Sequence, residues 1–196
     1  KKKKNPKVVQ NLHSVRFRNV GFKRKPVLYP QAERQFNRFL INAIGHDVFV
    51  ISTGLGLDVY YSSTQDYTEF IKSNLWLFKP ANDIVTERHF VAAMHGPEVL
   101  DYFNTVVDSL ISHPQLFLSC CKKFMQYYKD AMIKTRLLQL LYSTFESHLQ
   151  ELITDAEVPY TKKIIKMLNE SELFDYKYFD DVDRLAHQLK NAGNFN

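Results

Sequence analysis

His13-Ser14-Val15-Arg16-Phe17-Arg18 is the stretch on which the fold turns. Val15 and Phe17 alternate with Arg16 and Arg18, the period of a β-strand with one apolar and one cationic face. The residues before it, KKKKNPKVVQNL from Lys1 to Leu12, are charged and aperiodic and read as a tail or linker. After it, Gly21 offers a turn and Phe22-Lys23-Arg24-Lys25 follows. Pro26 and Pro30 bracket Val27-Leu28-Tyr29 and hold it extended, because proline disfavours helix at the residue before it. Residues 1–30 are therefore expected to form a basic, extended N-terminal arm.

Charge sharpens that expectation. Of the 26 Lys+Arg residues, twelve fall within the first 40 positions, accompanied by a single carboxylate, Glu33, for a formal charge of +11. The other 156 residues hold fourteen cations and twenty anions, so an acidic body of −6 follows a basic segment. Such asymmetry points to a polyanionic partner, most simply nucleic acid. Apolar residues make up 45% of the chain, with 15 Phe and 11 Tyr, enough for a folded core. The excess of Lys, Phe, Tyr and Asn suits an A/T-rich genome, as in many phages, viruses and protists.

Beyond the arm, residues 31–196 read as a mainly helical domain. Gln31 to Ile44 is amphipathic, with Ala32, Phe36, Phe39, Leu40, Ala43 and Ile44 on one stripe and Gly45 as its stop. Asp47–Ser52 and Leu57–Tyr61 are apolar and β-branched, and Thr53-Gly54-Leu55-Gly56 between them makes a β-hairpin near 47–61. Ser63 with Asp66 forms a capping box for a helix holding Phe70, Ile71 and Leu75. A second helix is expected from Asp83 to Gly96-Pro97, and a third from Glu98 to Ile111. Pro114 opens an apolar-periodic stretch to Ile153, with a break expected near Lys129-Asp130 because it exceeds most globular helices. Shorter helices are expected over Tyr160–Leu168 and Val182–Ala192. The fold class is thus α-rich α+β, a helical bundle body preceded by a small β element and the arm.

The candidate nucleic-acid-binding residues are Lys7, Arg16, Phe17, Arg18, Lys23, Arg24, Lys25, Arg34 and Arg38. Lysines and arginines that neutralise phosphates release counterions and give affinity without sequence choice. Phe17, Phe22 and Tyr29 interleave with these cations, as on a surface that stacks bases and grips phosphate. Arg34 and Arg38 extend the positive face along the following helix. The bland alternative makes the aromatics core and the lysines a solubilising tail.

Other motifs carry less. Cys120 and Cys121 are adjacent, so a bridge between them would be strained, and two cysteines fall short of a disulfide framework. They read as small packed residues of an intracellular protein in a reducing compartment, whether cytoplasmic, nuclear or organellar. No run approaches the ~18 apolar residues of a membrane span, so no membrane partner is expected. The histidines lack zinc spacing, and Asp180-Asp181-x-Asp183 lacks the glycine and distal glutamate of a calcium loop, so neither metal nor cofactor is expected. Gly54-x-Gly56 joins strand to strand rather than strand to helix, so its glycines serve the positive φ of a hairpin and not a phosphate loop.

Arg88 and His95, with six residues between them and His89 next to the arginine, are expected on one helix. That spacing resembles the motif of the HEPN ribonucleases, a family of helical bundles in which the pair lies at a dimer cleft. The resemblance covers about eight residues and implies a small helical ribonuclease as one reading of the chain. The leading expectation is a non-enzymatic nucleic-acid-associated protein, a phage, viral or organellar ribonucleoprotein component. The alternative is a helical structural or adaptor protein acting through protein–protein contacts on its acidic body.

Overall fold

The computed structural model describes residues 9–20, 26–79, 88–155 and 158–169. Four strands form one antiparallel sheet: β1 (Leu12–Arg18), β2 (Val48–Ser52), β3 (Gly56–Ser62) and β4 (Phe90–His95), in the order β2-β3-β1-β4. Strand β1 pairs β3 from Leu12↔Ser62 to Arg18↔Gly56, and on its other edge pairs β4 from His13↔His95 to Phe17↔Phe90. The ladder of β1 with β4 shifts register between Arg16 and Phe17. The fold is mixed α+β and mostly helical, with the sheet at its centre.

Helices cover both faces of that sheet. On one side lie α1 (Pro30–Ile44) and α2 (Thr68–Leu75), the latter followed by a 3-10 turn over Trp76–Phe78. On the other lie α3 (Glu98–Ile111), α4 (Pro114–Asp130) and α5 (Arg136–Asp155), with residues 161–169 forming α6. Strand alternation divides the side chains between the two layers. Val15, Phe17, Val48, Val50, Leu57, Val59 and Tyr61 pack with Phe36, Leu40, Ile71 and Leu75 of α1 and α2. Leu12, Phe49, Ile51 and Tyr60 point the other way, into the bundle with Phe103, Phe117, Phe124, Leu141 and Phe145. No helix among the described residues is long and apolar enough to cross a membrane.

Several expectations from sequence are met within a residue or two. The first helix, the hairpin, the helix over Glu98–Ile111 and the break after Asp130 are all present. Gly45 ends α1 with φ +116, a conformation that favours glycine. The hairpin glycines have another role than the expected one. Gly56 does not take positive φ; a Cβ there would overlap the carbonyl oxygen of Phe17 on β1. Asp66 rather than Ser63 holds the start of α2, its Oδ1 accepting the Thr68 amide at 2.8 Å.

Two larger expectations are corrected. Residues 12–18 are not part of an accessible arm; β1 is hydrogen-bonded on both edges and covered on both faces. Phe17 is 1% exposed and belongs to the core, and Arg16 is buried at 9%. Residues 90–95 are a strand and not the end of a helix. The run Phe90-Val91-Ala92-Ala93-Met94-His95 suits either state locally, and pairing with β1 decides between them. The expected helix over 182–192 lies outside the described residues.

Arg16 is buried because it has a partner. Its Nη1 lies 3.3 Å from Asp58 Oδ1 across the β1–β3 register, and its guanidinium sits 5.7 Å from the centre of the Tyr102 ring on α3. A second buried carboxylate ties the layers around the edge of the sheet. Glu33 on α1 accepts from Lys123 Nζ at 2.7 Å and from the Tyr127 hydroxyl at 3.2 Å, both on α4. Lys123 also donates to the Ser52 carbonyl at the end of β2. Removing one member of such a pair strands a charge in the interior.

Asp58→Ala is expected to cost about 3–5 kcal/mol, read as a fall in the urea midpoint, because it leaves Arg16 buried without its counter-ion. Deleting residues 1–20 should abolish the cooperative thermal transition altogether. A truncated protein that melted like the full chain would show that β1 is dispensable.

Candidate functional site

The sheet has two chemically distinct ends. At the end where β1 finishes, Arg18 is exposed, its amide bonds the His89 carbonyl at 2.7 Å, and its Nε donates to the Arg88 carbonyl at 2.8 Å. Asn19 then donates to the Gly54 carbonyl at 3.0 Å and accepts from the Val27 amide at 3.0 Å. That side chain holds together the two flanks of the basic segment containing Lys23, Arg24 and Lys25. Those three residues, with Phe22 and Lys7, lie outside the described residues.

Helix α1 starts at this same end, since Glu33 in its first turn shares Lys123 with Ser52, the last residue of β2. Arg34 and Arg38 are exposed one turn apart on α1. Of the candidates from sequence, Arg18, Arg34 and Arg38 are therefore accessible, whereas Arg16 and Phe17 are enclosed. Phe17 has no free ring face to offer a base: Phe90 meets it edge-on at 6.3 Å, and core packing covers the rest.

The opposite end of the sheet carries a polar cluster that sequence spacing did not disclose. His13 on β1 stands opposite Tyr61 on one side and His95 on the other. Its ring stacks on Tyr61 with centroids 4.7 Å apart, and its Nδ1 lies 2.7 Å from His95 Nδ1. His13 Nε2 is 3.1 Å from the Ser63 carbonyl, and His95 Nε2 is 3.9 Å from Asp66 Oδ2. A carbonyl only accepts, so His13 Nε2 carries its proton and His13 Nδ1 accepts from His95 Nδ1. A second proton on His13, at Nδ1, would oppose the His95 N–H.

The neighbouring groups agree. Burial, assisted by the charge of His95, lowers the pKa of His13 against the pull of the Ser63 bond and of Asp66. Burial alone would raise Asp66, but hydrogen bonds from Thr68 and Tyr61 outweigh it and hold the carboxyl below its ordinary value. Burial first, with Asp66 adding to it, raises Tyr61 to about 12, so its hydroxyl stays protonated and donates to Asp66 at 3.1 Å. Asp58, in the sheet interior, behaves oppositely to His13. Burial pushes it up to about 6, and Arg16 pulls it back only part of the way.

Arg88 and His95 do not converge. Arg88 precedes β4 and His95 ends it, so the extended chain separates them by roughly 20 Å at a strand's rise per residue, where a helix would have set them closer along one face. The helical setting of the HEPN-like spacing is thus absent from this segment. Cys120 and Cys121 are free, and burial raises both thiols above their ordinary value. No group of three or more His, Cys, Asp or Glu among the described residues is placed to hold a metal ion. Compared with known proteins, the chain matches no family model, no curated protein and no solved structure.

The histidine end sets a pH dependence whose sign follows from the lowered His13 value. The unfolded chain binds the proton more readily, so stability from neutral His13 is present above the ordinary histidine pKa and is lost as pH falls below it. His13→Gln should flatten the decline of the urea midpoint between pH 7.5 and pH 5. Asp58, whose folded value is raised, contributes stability that is present at low pH and lost as pH rises through about 6. Asp58→Asn should accordingly change the profile in the opposite direction. Two variants with the same slope change would contradict these assignments.

Proposed function

We propose that the protein is a non-enzymatic nucleic-acid-associated protein, of the kind a phage, viral or organellar ribonucleoprotein contains, that grips the phosphate backbone through the basic end of its sheet. The observation that carries this reading is the gathering of cations at that end. The exposed Arg18 and Arg34 lie there, Arg38 follows one turn along α1, and the flanks of the Lys23-Arg24-Lys25 segment meet there through Asn19. The binding surface is then folded structure plus its attached basic segments, rather than a free arm. Arginine's planar fork suits phosphate, and the formal +11 of the first 40 residues supplies the long-range attraction.

A second reading is supported by one specific feature. Met132 and Ile133, in the link between α4 and α5, are 96% and 80% exposed. Two adjacent apolar side chains so fully in water suit contact with another protein, as an adaptor would make.

Charge reversal separates the two. The variant Arg24→Glu/Arg34→Glu/Arg38→Glu should keep its circular dichroism and lose nucleic-acid binding at moderate salt. Each phosphate contact removed should lower the slope of log affinity against log salt by about 0.7 on single strands and about 0.9 on duplex. A folded triple variant that bound with wild-type affinity would overturn the reading and leave the adaptor in its place.

A further inference from the structure

Phe17 is sealed in the core, yet the basic end does present aromatic rings. Trp76 is 60% exposed, its neighbour Leu77 is 52% exposed, and Tyr29 is 48% exposed. The contacts of the flanking residues place them at that end. Tyr29 immediately precedes α1, whose first turn is anchored beside Ser52 through Glu33 and Lys123. Helix α2 runs toward the same end, because Lys72 in its last turn lies 4.6 Å over the ring of Phe90, the partner of Phe17. The 3-10 turn continues from there, and its Phe78 packs at 5.1 Å on Phe36 of α1.

The exposure of Trp76 is not a consequence of poor anchoring. Leu75 on one side is fully buried, and Phe78 on the other is wedged among the rings of Phe36 and Phe39. The turn is fixed at both ends while Trp76 and Leu77 face water. Tryptophan is among the most highly buried residue types on average, and this is the one Trp in the chain. Exposed aromatics at the same end of the sheet as exposed arginines form the combination that binds unpaired bases, since every base has a π-face and a duplex keeps its faces stacked inside.

We infer that Trp76 and Tyr29 are stacking platforms and that the basic end takes single-stranded nucleic acid in preference to duplex. The inference rests on the proposed nucleic-acid reading and adds its ligand class. Arg18, Arg34 and Arg38 hold the backbone; Trp76 and Tyr29 receive bases. Leu77 lies beside Trp76 and supplies an apolar surface next to the stacked base.

The single tryptophan makes the test direct. A fluorescein-labelled 20-mer of thymidine is titrated into the protein, following label anisotropy and Trp76 emission together, and a 20-base-pair duplex is titrated in parallel. Expected is quenching of Trp76 that saturates with the anisotropy, and tighter binding of the single strand. Trp76→Ala should weaken single-strand binding roughly five- to hundred-fold and leave the salt slope unchanged. Trp76→Phe should recover part of that loss, which a mere folding defect would not allow. Binding by anisotropy without Trp76 quenching, or duplex binding as tight as single-strand binding, would overturn the stacking inference while leaving backbone binding intact. Absence of binding to either form would overturn both.

Discussion

Strand β1 must satisfy hydrogen bonds on both edges and packing on both faces, and the remaining elements are arranged around that requirement. Its edges are taken by β3 and β4, which are far from it in sequence. Its apolar face carries Val15 and Phe17 against α1 and α2, each such side chain contributing about 1.5–3 kcal/mol by leaving water. Its other face carries Leu12, Ser14 and Arg16 toward the helical bundle. A cation in that position is tolerable only because Asp58 stands opposite it in the register. Sliding β1 by one residue would set Arg16 among the valines and Val15 against Asp58. The buried pair therefore disfavours alternative registers, whatever its net contribution to stability.

The same strand gives the molecule its polarity. One end of β1 leads into the basic stretch and lies beside the start of α1; the other places His13 between Tyr61 and His95. Cations gather where β1 ends, and a chain of polar groups, Ser63, His13, His95 and Asp66, spans the far end. The two ends are joined by a strand with no freedom to shift independently of either neighbour. At the sheet's outer edge, Asn37 of α1 accepts the Val50 amide at 3.1 Å, and Glu33 with Lys123 links α1 to the bundle. Buried polar groups thus hold the layers in place while apolar contacts supply most of the stabilisation.

Much of the helical content was legible because helical periodicity is a local property. Val99, Phe103, Val106, Val107 and Leu110 mark α3 on any reading, and the link after Asp130 follows from length alone. The hairpin was equally plain from its β-branched runs and the glycines between them. The alternation at Val15 to Arg18 declared a strand but not its neighbours, and an Arg-rich strand at the end of a basic segment reads naturally as exposed. Asp58, the residue that draws Arg16 inside, is 42 positions away. Strand β4 was hidden for a related reason: alanine and methionine suit helices, and only the vacant edge of β1 makes Phe90–His95 extended.

The candidate site divides along the same line. The concentration of charge in the first 40 residues, the cationic stripe of Arg34 and Arg38, and the free, unbridged cysteines follow from the sequence itself, since composition and short-range spacing determine them. Which of those residues meet solvent was decided by tertiary structure alone. Arg16 and Arg18 share one face of one strand, yet Asp58 pairs with the first while the second sits where the ladder ends. Likewise Trp76 is exposed because Leu75 and Phe78 on either side consume the available core, and His13 meets His95 because β4 pairs with β1. Local sequence sets what a residue can do. Long-range pairing sets which neighbours it has and whether water, or a ligand, can reach it.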